Sequence, residues 1–267
     1  NADIAMYQAK DKGKGNFQYY DATVNALTVE RLDLEHGLRG AIEGGELTLE
    51  YQPKLDLKSG RIFAAEALVR WNHPLRGRVP PGKFIPLAEE TQLIIALGEW
   101  GLRRAGTEAG SWRHQDDIGI SVNLSPVQFR RKGLLECIGR VLAETGFAPW
   151  RLELEITESA LMDNPEEAVK TLLGLRALGI TVSIDDFGTG YSSLGHLKRF
   201  PVSVLKIDRS FVRDINIDPD DKAIAQAVIA LAQSLRLASI AEGVETEEQL
   251  LTLQALGCDA IQGYYIG

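Results

Sequence analysis

Adjacent carboxylates at Asp185 and Asp186, closing an apolar run that starts at Thr181, are the residues of this sequence best suited to chemistry. One carboxylate can bridge two ions ~3.5 to 4 Å apart while its neighbour binds one of them, an arrangement that suits in-line attack on phosphorus. Gln52, Glu66, Asn123, Glu155, Lys206 with Asp208, Glu242 and Gln262 likewise lie in or just past runs that read as strands. A single strand Glu or Asn is ordinarily a hydrogen-bonded or paired group. So many carboxylates at equivalent positions would repel one another unless cations sat among them. Carboxylates and an amide oxygen are hard donors suited to Mg2+ or Mn2+, with Ca2+ able to occupy but less suited to act. Zinc is disfavoured: His36, His73, His114 and His196 have no metal-ligand spacing, and none lies at an expected strand end.

Those residues need elements that converge. Strands are expected at Glu46–Leu57, Ile62–Trp71, Ile118–Leu124, Arg151–Thr157, Thr181–Asp185, Val202–Asp208, Ala238–Gly243 and Ala260–Tyr265. The first two are joined by Lys58-Ser59-Gly60 and Arg61 alone, too few residues for a crossover helix, so they are antiparallel neighbours. Helices are expected at Lys83–Gly110, Gln128–Thr145, Pro165–Leu178, Asp221–Leu235 and Glu247–Leu256, with Asn164-Pro165-Glu166-Glu167 a well-formed helix start. A further helix over residues 24–43 connects to what precedes. This order points to an α/β fold, a (β/α)8 TIM-like barrel with its first strand antiparallel; a doubly wound open sheet is the alternative. In such a barrel the active site lies at the rim where several strand ends meet.

Composition narrows the partners. The chain of 267 residues, 45% of them hydrophobic, is long enough for a sizeable core. Its 37 Asp+Glu against 29 Lys+Arg argue against a nucleic acid polymer as partner. Cys137 and Cys258 suggest neither a disulfide framework nor a zinc site, and fit a cytoplasmic compartment. No apolar run is long enough to cross a membrane. A chain that begins at Asn1 and stops at Gly267 reads as an excised piece, whose missing parts could hold a membrane anchor or a sensor.

Glu66-Ala67-Leu68-Val69-Arg70-Trp71 resembles the signature of the EAL-domain cyclic di-GMP phosphodiesterases. Further motifs of that family follow in order: Tyr51-Gln52-Pro53, Val122-Asn123-Leu124-Ser125, Glu153-Leu154-Glu155-Ile156-Thr157-Glu158-Ser159, Asp185-Asp186-Phe187-Gly188-Thr189-Gly190, Lys206-Ile207-Asp208, Ala241-Glu242-Gly243-Val244-Glu245 and Gln262-Gly263-Tyr264. Residues 1–20 resemble the end of a GGDEF (diguanylate cyclase) domain through Ala2-Asp3-Ile4-Ala5-Met6-Tyr7-Gln8-Ala9-Lys10. Three segments are thus expected: a GGDEF-like remnant at 1–23, a connecting helix at 24–43 and an EAL-type barrel at 44–267.

The resemblance implies hydrolysis of one phosphodiester of cyclic di-GMP to linear pGpG by a two-metal mechanism. Glu66, Asn123, Glu155 and Asp185 would hold one ion, and Asp185 with Asp186 the second. Lys206 would position the attacking water, and Glu242 would act as base or as a partner of the metal ligands; with Glu66 these form the catalytic set. Gln52, Leu68, Arg70, Asp208 and Gln262 would contact substrate, with Asp208 able to orient Lys206 instead. Glu158 would anchor a loop at Phe187–Leu194. Two Mg2+ or Mn2+ ions would support turnover and Ca2+ would inhibit it. A homodimer, and upstream GGDEF and sensor domains, are the implied partners. Family members continue past Gln262-Gly263-Tyr264 into a short closing segment, whereas this sequence stops at Gly267, which leaves closure of the barrel and the outer wall of the pocket open. Two alternatives stand beside the enzyme: a catalytically weak cyclic di-GMP receptor or interaction module, and a barrel that uses Mg2+ to stabilise an enolate.

Overall fold

The computed structural model describes residues 22–112, 118–189 and 194–267, with the side chains of residues 22–30 and of Leu194 outside that description. Residues 1–21 of the expected GGDEF-like segment, His114 and residues 190–193 of the expected loop Phe187–Leu194 therefore lie outside the described residues. Among the described residues, nine strands form one sheet: β1 (Leu47–Asp56), β2 (Ile62–His73), β3 (Gly77–Val79), β4 (Gly119–Asn123), β5 (Leu152–Thr157), β6 (Thr181–Phe187), β7 (Val204–Ile207), β8 (Ala238–Ala241) and β9 (Ala260–Gln262). Their order is β1-β9-β8-β7-β6-β5-β4-β2, and β1 pairs again with β2, so the barrel is closed; β3 is a short extension on β2. β1 is antiparallel to both neighbours, and every other pair around the barrel is parallel. This is the expected (β/α)8 TIM-like barrel with a reversed first strand. Pairing of Lys54 with Gln262 and of Leu55 with Ile261 completes the ring.

Alternation along each strand sorts its residues between two environments. Ile120, Leu152, Leu154, Ile156, Val182, Ile184, Leu205 and Ile207 belong to the large core that also takes in the surrounding helices. The barrel interior differs. Its apolar part is a small separate cluster of Val204, Ile240 and Ala260, while Lys54, Glu66, Ser121, Glu153, Glu155, Ser183, Lys206 and Gln262 are buried polar groups.

Several expected boundaries shift, for local reasons. The single helix expected over Lys83–Gly110 is two helices, Pro81–Glu90 and Ile94–Gly110, because Gln92 takes a left-handed conformation (φ 62°) that an α-helix cannot continue through. The helix expected over Gln128–Thr145 is likewise split into Pro126–Phe129 and Leu134–Thr145, with left-handed Gly133 preceding the second. Strand β3 was too short to show as a run. His73 ends β2, contrary to the expectation that no histidine does. Its Nδ1 accepts from the backbone N–H of Leu75 and Arg76, so it shapes the β2–β3 turn.

The helix expected over residues 24–43 spans Ala22–Gly44. It is docked: Leu34, Leu38 and Ala41 join Trp71, Val79, Phe84 and Leu97 in a second core. Trp71 is fully buried, meets Phe84 edge-on and donates its ring N–H to Glu46 at 2.9 Å, which ties the end of β2 to this core. Leu38→Ala should therefore lower stability by about 2–5 kcal/mol, read as a fall in Tm. A shift too small to resolve would mean that the helix is only a linker.

Candidate active site

Inward-facing residues of the strands form two polar levels. At the rim, Glu66 lies opposite Gln52 across the β1–β2 pair, and Asn123 lies beside Glu155 across the β4–β5 pair. Glu66 accepts hydrogen bonds from Asn123 Nδ2 at 2.5 Å and from Gln262 Nε2, and Gln262 also donates to Gln52 at 2.9 Å. Lys206 is buried among acids: its Nζ bonds to Glu155 Oε2 and Glu242 Oε1, and lies 3.1 Å from Asp185 Oδ1. Thus Gln52, Glu66, Asn123, Glu155, Asp185, Lys206, Glu242 and Gln262 are all brought to one place.

Asp185 and Asp186 should point to opposite faces of a regular strand. They do not, because β6 carries a bulge: Ile184 pairs with Leu205 and Phe187 with Ile207, leaving an extra residue on the β6 side. Asp186 takes up the irregularity in a left-handed conformation (φ 53°), which a short polar side chain tolerates better than most. As a result Asp185, Asp186 and Glu242 offer carboxylate oxygens within 4.8 Å of one another, and so do Glu66, Glu155 and Glu242. Glu242 belongs to both groups. It follows β8 directly, and left-handed Gly243 lets the chain pass Arg209, whose Cβ would stand 2.7 Å from a Cβ at position 243.

The chain's own cations only partly balance these acids. Burial pushes the Glu242 carboxyl up to about 8, with Asp185 and Glu155 adding to the rise against the pull of Lys206. Burial, Asp185 and Asp208 push Asp186 up to about 6. Glu66 is raised by burial and by Glu155. Glu155 goes the other way: burial opposes its charge, but Lys206 and Lys54 outweigh it and hold the carboxyl at about 2. Burial lowers the pKa of Lys206, yet Glu155, Glu242, Asp185 and Glu66 carry it well above the ordinary lysine value, so it stays an ammonium. Buried carboxylates, hard oxygen donors in excess of the buried ammonium groups, fit a metal cation. The Gln262 Oε1 atom, buried without a hydrogen-bond partner among the described residues, adds an unsatisfied acceptor beside them.

Residues 35–267 match the family model of the EAL domain. The chain belongs to the EAL domain family. Over 100% of its length it is 45% identical to the bifunctional diguanylate cyclase/cyclic di-GMP phosphodiesterase MucR of Pseudomonas aeruginosa, and it spans 39% of that protein. It is 42% identical over 99% of its length to the cyclic di-GMP phosphodiesterase NbdA of the same species, and spans 34% of it. A solved structure of the PaMucR phosphodiesterase in complex with c-di-GMP superposes with a TM-score of 0.85 at 46% identity, covering 88% of this chain and 96% of that one.

Two hollows adjoin the acids of this EAL domain. A cleft of about 340 Å³ is lined by Gln52, Glu66, Asp185, Glu242 and Gln262, and a pocket of about 290 Å³, largely apolar, by Leu68, Arg70, Ile85, Leu97 and Leu124. Asn123 lines both. Arg70 donates from Nε to Glu50 at 2.8 Å, and Glu50 also accepts from Arg78. Glu158 Oε2 accepts from the backbone N–H of Gly188 at 3.2 Å, which places it under the first turn beyond β6. Asp208 caps the helix Arg209–Arg213, accepting from Ser210 N at 2.9 Å, and interacts with Asp186; its carboxylate goes to these partners rather than to Lys206.

Sequence reasoning passed over Lys54, Glu153, Ser183 and Arg209. The first three form a buried level beneath the rim, with Lys54 bonded to both Glu153 and Glu155. Spacing could have found them: Lys54 is two residues from Gln52 and Glu153 two from Glu155, hence on the same strand faces. Arg209 lines the cleft beside Glu242.

Proposed function

We propose that this EAL domain hydrolyses one phosphodiester bond of cyclic di-GMP to linear pGpG, using two divalent cations at the barrel rim. The observation that carries the reading is the pair of carboxylate groups that share Glu242 and flank Lys206. Phosphodiesterase names among relatives at 42–45% identity and the c-di-GMP complex of PaMucR support the substrate. Glu66, Asn123, Glu155, Asp185 and Asp186 hold the ions. When bound, Mg2+ or Mn2+ supplies Lewis acidity and lowers the pKa of an attached water. Lys206, an ammonium held among acids, donates a hydrogen bond that orients the nucleophile, and Glu242 accepts its proton or fixes its geometry. Arg70 presents a planar fork suited to a non-bridging phosphate oxygen. Gln52, Gln262 and Asp208 contact the polar part of the substrate, and Leu68 faces the apolar pocket that takes a base.

Within the longer protein we place a GGDEF-like segment at 1–23, the helix at 24–43 as connector, further GGDEF and sensor domains upstream, a homodimer, and a cytoplasmic site of action. No described helix is long and apolar enough to cross a membrane.

Metal dependence is the first test. Turnover should need Mg2+ or Mn2+ and fall in excess Ca2+, whose longer and looser coordination places the water poorly. Full activity in a chelator would overturn the two-metal reading. Glu158 separates from the ligands in a second test. Glu158→Ala should lower turnover and leave Mn2+ affinity intact, whereas Glu66→Ala should weaken Mn2+ binding itself. Calorimetric titration distinguishes them, and equal loss of affinity in both variants would refute the two roles.

A further inference from the structure

Lys54 has no part in the chemistry described above, yet it is among the largest side chains sealed inside the molecule. An ammonium buried without partners would be very costly. From β1 it enters the barrel one level below the rim, and Nζ donates to Glu155 Oε1 at 2.7 Å and to Glu153 Oε1 at 2.8 Å. Ser183 Oγ donates to the same Glu153 oxygen at 2.9 Å. Glu153 alone would match the charge of Lys54, so the second bond adds direction to Glu155. Lys206, from β7, holds the other oxygen of that carboxylate. Glu155 is thus gripped at Oε1 and Oε2 from two different strands, and its carboxylate plane cannot turn without breaking one of these bonds.

We propose that Lys54 is a positioning residue for the metal site: supported by Glu153 and Ser183, it sets the orientation in which Glu155 joins Glu66 and Glu242 around a divalent cation. This rests on the metal-dependent reading of the site. A purely structural Lys54, present only to neutralise Glu153, makes a different forecast. Outer partners of metal ligands typically change affinity ~10- to 100-fold when removed.

Two variants separate the roles. Lys54→Met strands Glu153 and releases Glu155, so both Tm and Mn2+ affinity should fall. Lys54→Met combined with Glu153→Gln removes both charges of the supporting pair, so Tm should recover most of the loss. Positioning of Glu155 is still absent there, and the Mn2+ dissociation constant should stay at least tenfold above wild type. Mn2+ alone is titrated by calorimetry at a temperature where circular dichroism shows each variant folded. If Lys54→Met does not fold, the double variant decides. Mn2+ binding by the double variant within about twofold of wild type would overturn the proposal, and so would failure of the double variant to fold, which would make Lys54 a folding residue. Wild-type protein that binds no Mn2+ would instead overturn the metal reading on which the proposal rests.

Discussion

Lys206→Ala and Glu242→Gln should each cut single-turnover hydrolysis of cyclic di-GMP by ~100- to 10,000-fold, the range for losing a positioned proton-transfer group. Affinity should stay within about tenfold, roughly 1.4 kcal/mol, since Arg70, Gln52, Gln262 and the carboxylates of Glu66, Glu155, Asp185 and Asp186 remain in both variants. Lys206 is held as an ammonium by Glu155, Glu242, Asp185 and Glu66 despite its burial, so it can donate a hydrogen bond but has no lone pair with which to take a proton. Glu242, pushed up to about 8 by burial, is more basic than Glu155, the other carboxylate bonded to Lys206, which is held at about 2, and it reaches both acid clusters. Dissociation constants measured in Ca2+ and single-turnover rates measured in Mg2+ separate binding from chemistry. A variant that keeps near-normal turnover, or loses rate only in proportion to affinity, removes that residue from the chemical step.

Glu155→Ala should have the largest effect on the protein as a whole. Glu155 is fully enclosed and holds Lys54 and Lys206 at once. Truncating it leaves two buried ammonium groups short of a partner, a change of the kind that costs about 3–5 kcal/mol. It also removes a donor from the cluster with Glu66 and Glu242, so Mn2+ affinity should fall well beyond tenfold. Glu155→Gln isolates the charge. The folded-state pKa of Glu155 lies at about 2, below the ordinary 4.5, so the stability it contributes is fully present above pH 4.5 and drains as pH falls toward 2. In a chelator the wild type should therefore lose Tm more steeply than Glu155→Gln over that window. Matching slopes and unchanged Mn2+ binding would contradict the role assigned to this residue.

The barrel and its rim were largely legible in the sequence because period-2 strands with polar interruptions leave a plain record. A four-residue link fixed the antiparallel pairing of the first two strands, and β1 indeed runs against β2 and β9. Lys54 and Glu153 were harder to see, because attention to strand ends selects the rim and passes over the level beneath it. The bulge at Asp186 left no sign in residue types: two adjacent carboxylates say nothing of whether a strand will turn both to one side. The helix breaks at Gln92 and Gly133 failed for a related reason, since apolar spacing runs on across a single left-handed residue.

The most direct measurement is a product assay on this EAL domain. Purified protein is incubated with cyclic di-GMP in Mg2+ and the products are separated by chromatography, with a chelator control and the Glu155→Gln variant run alongside. The account predicts linear pGpG from the wild type in Mg2+ and from neither control. Cyclic di-GMP that binds to the wild type in Mg2+ yet is recovered intact would contradict it, and would favour a receptor in place of an enzyme.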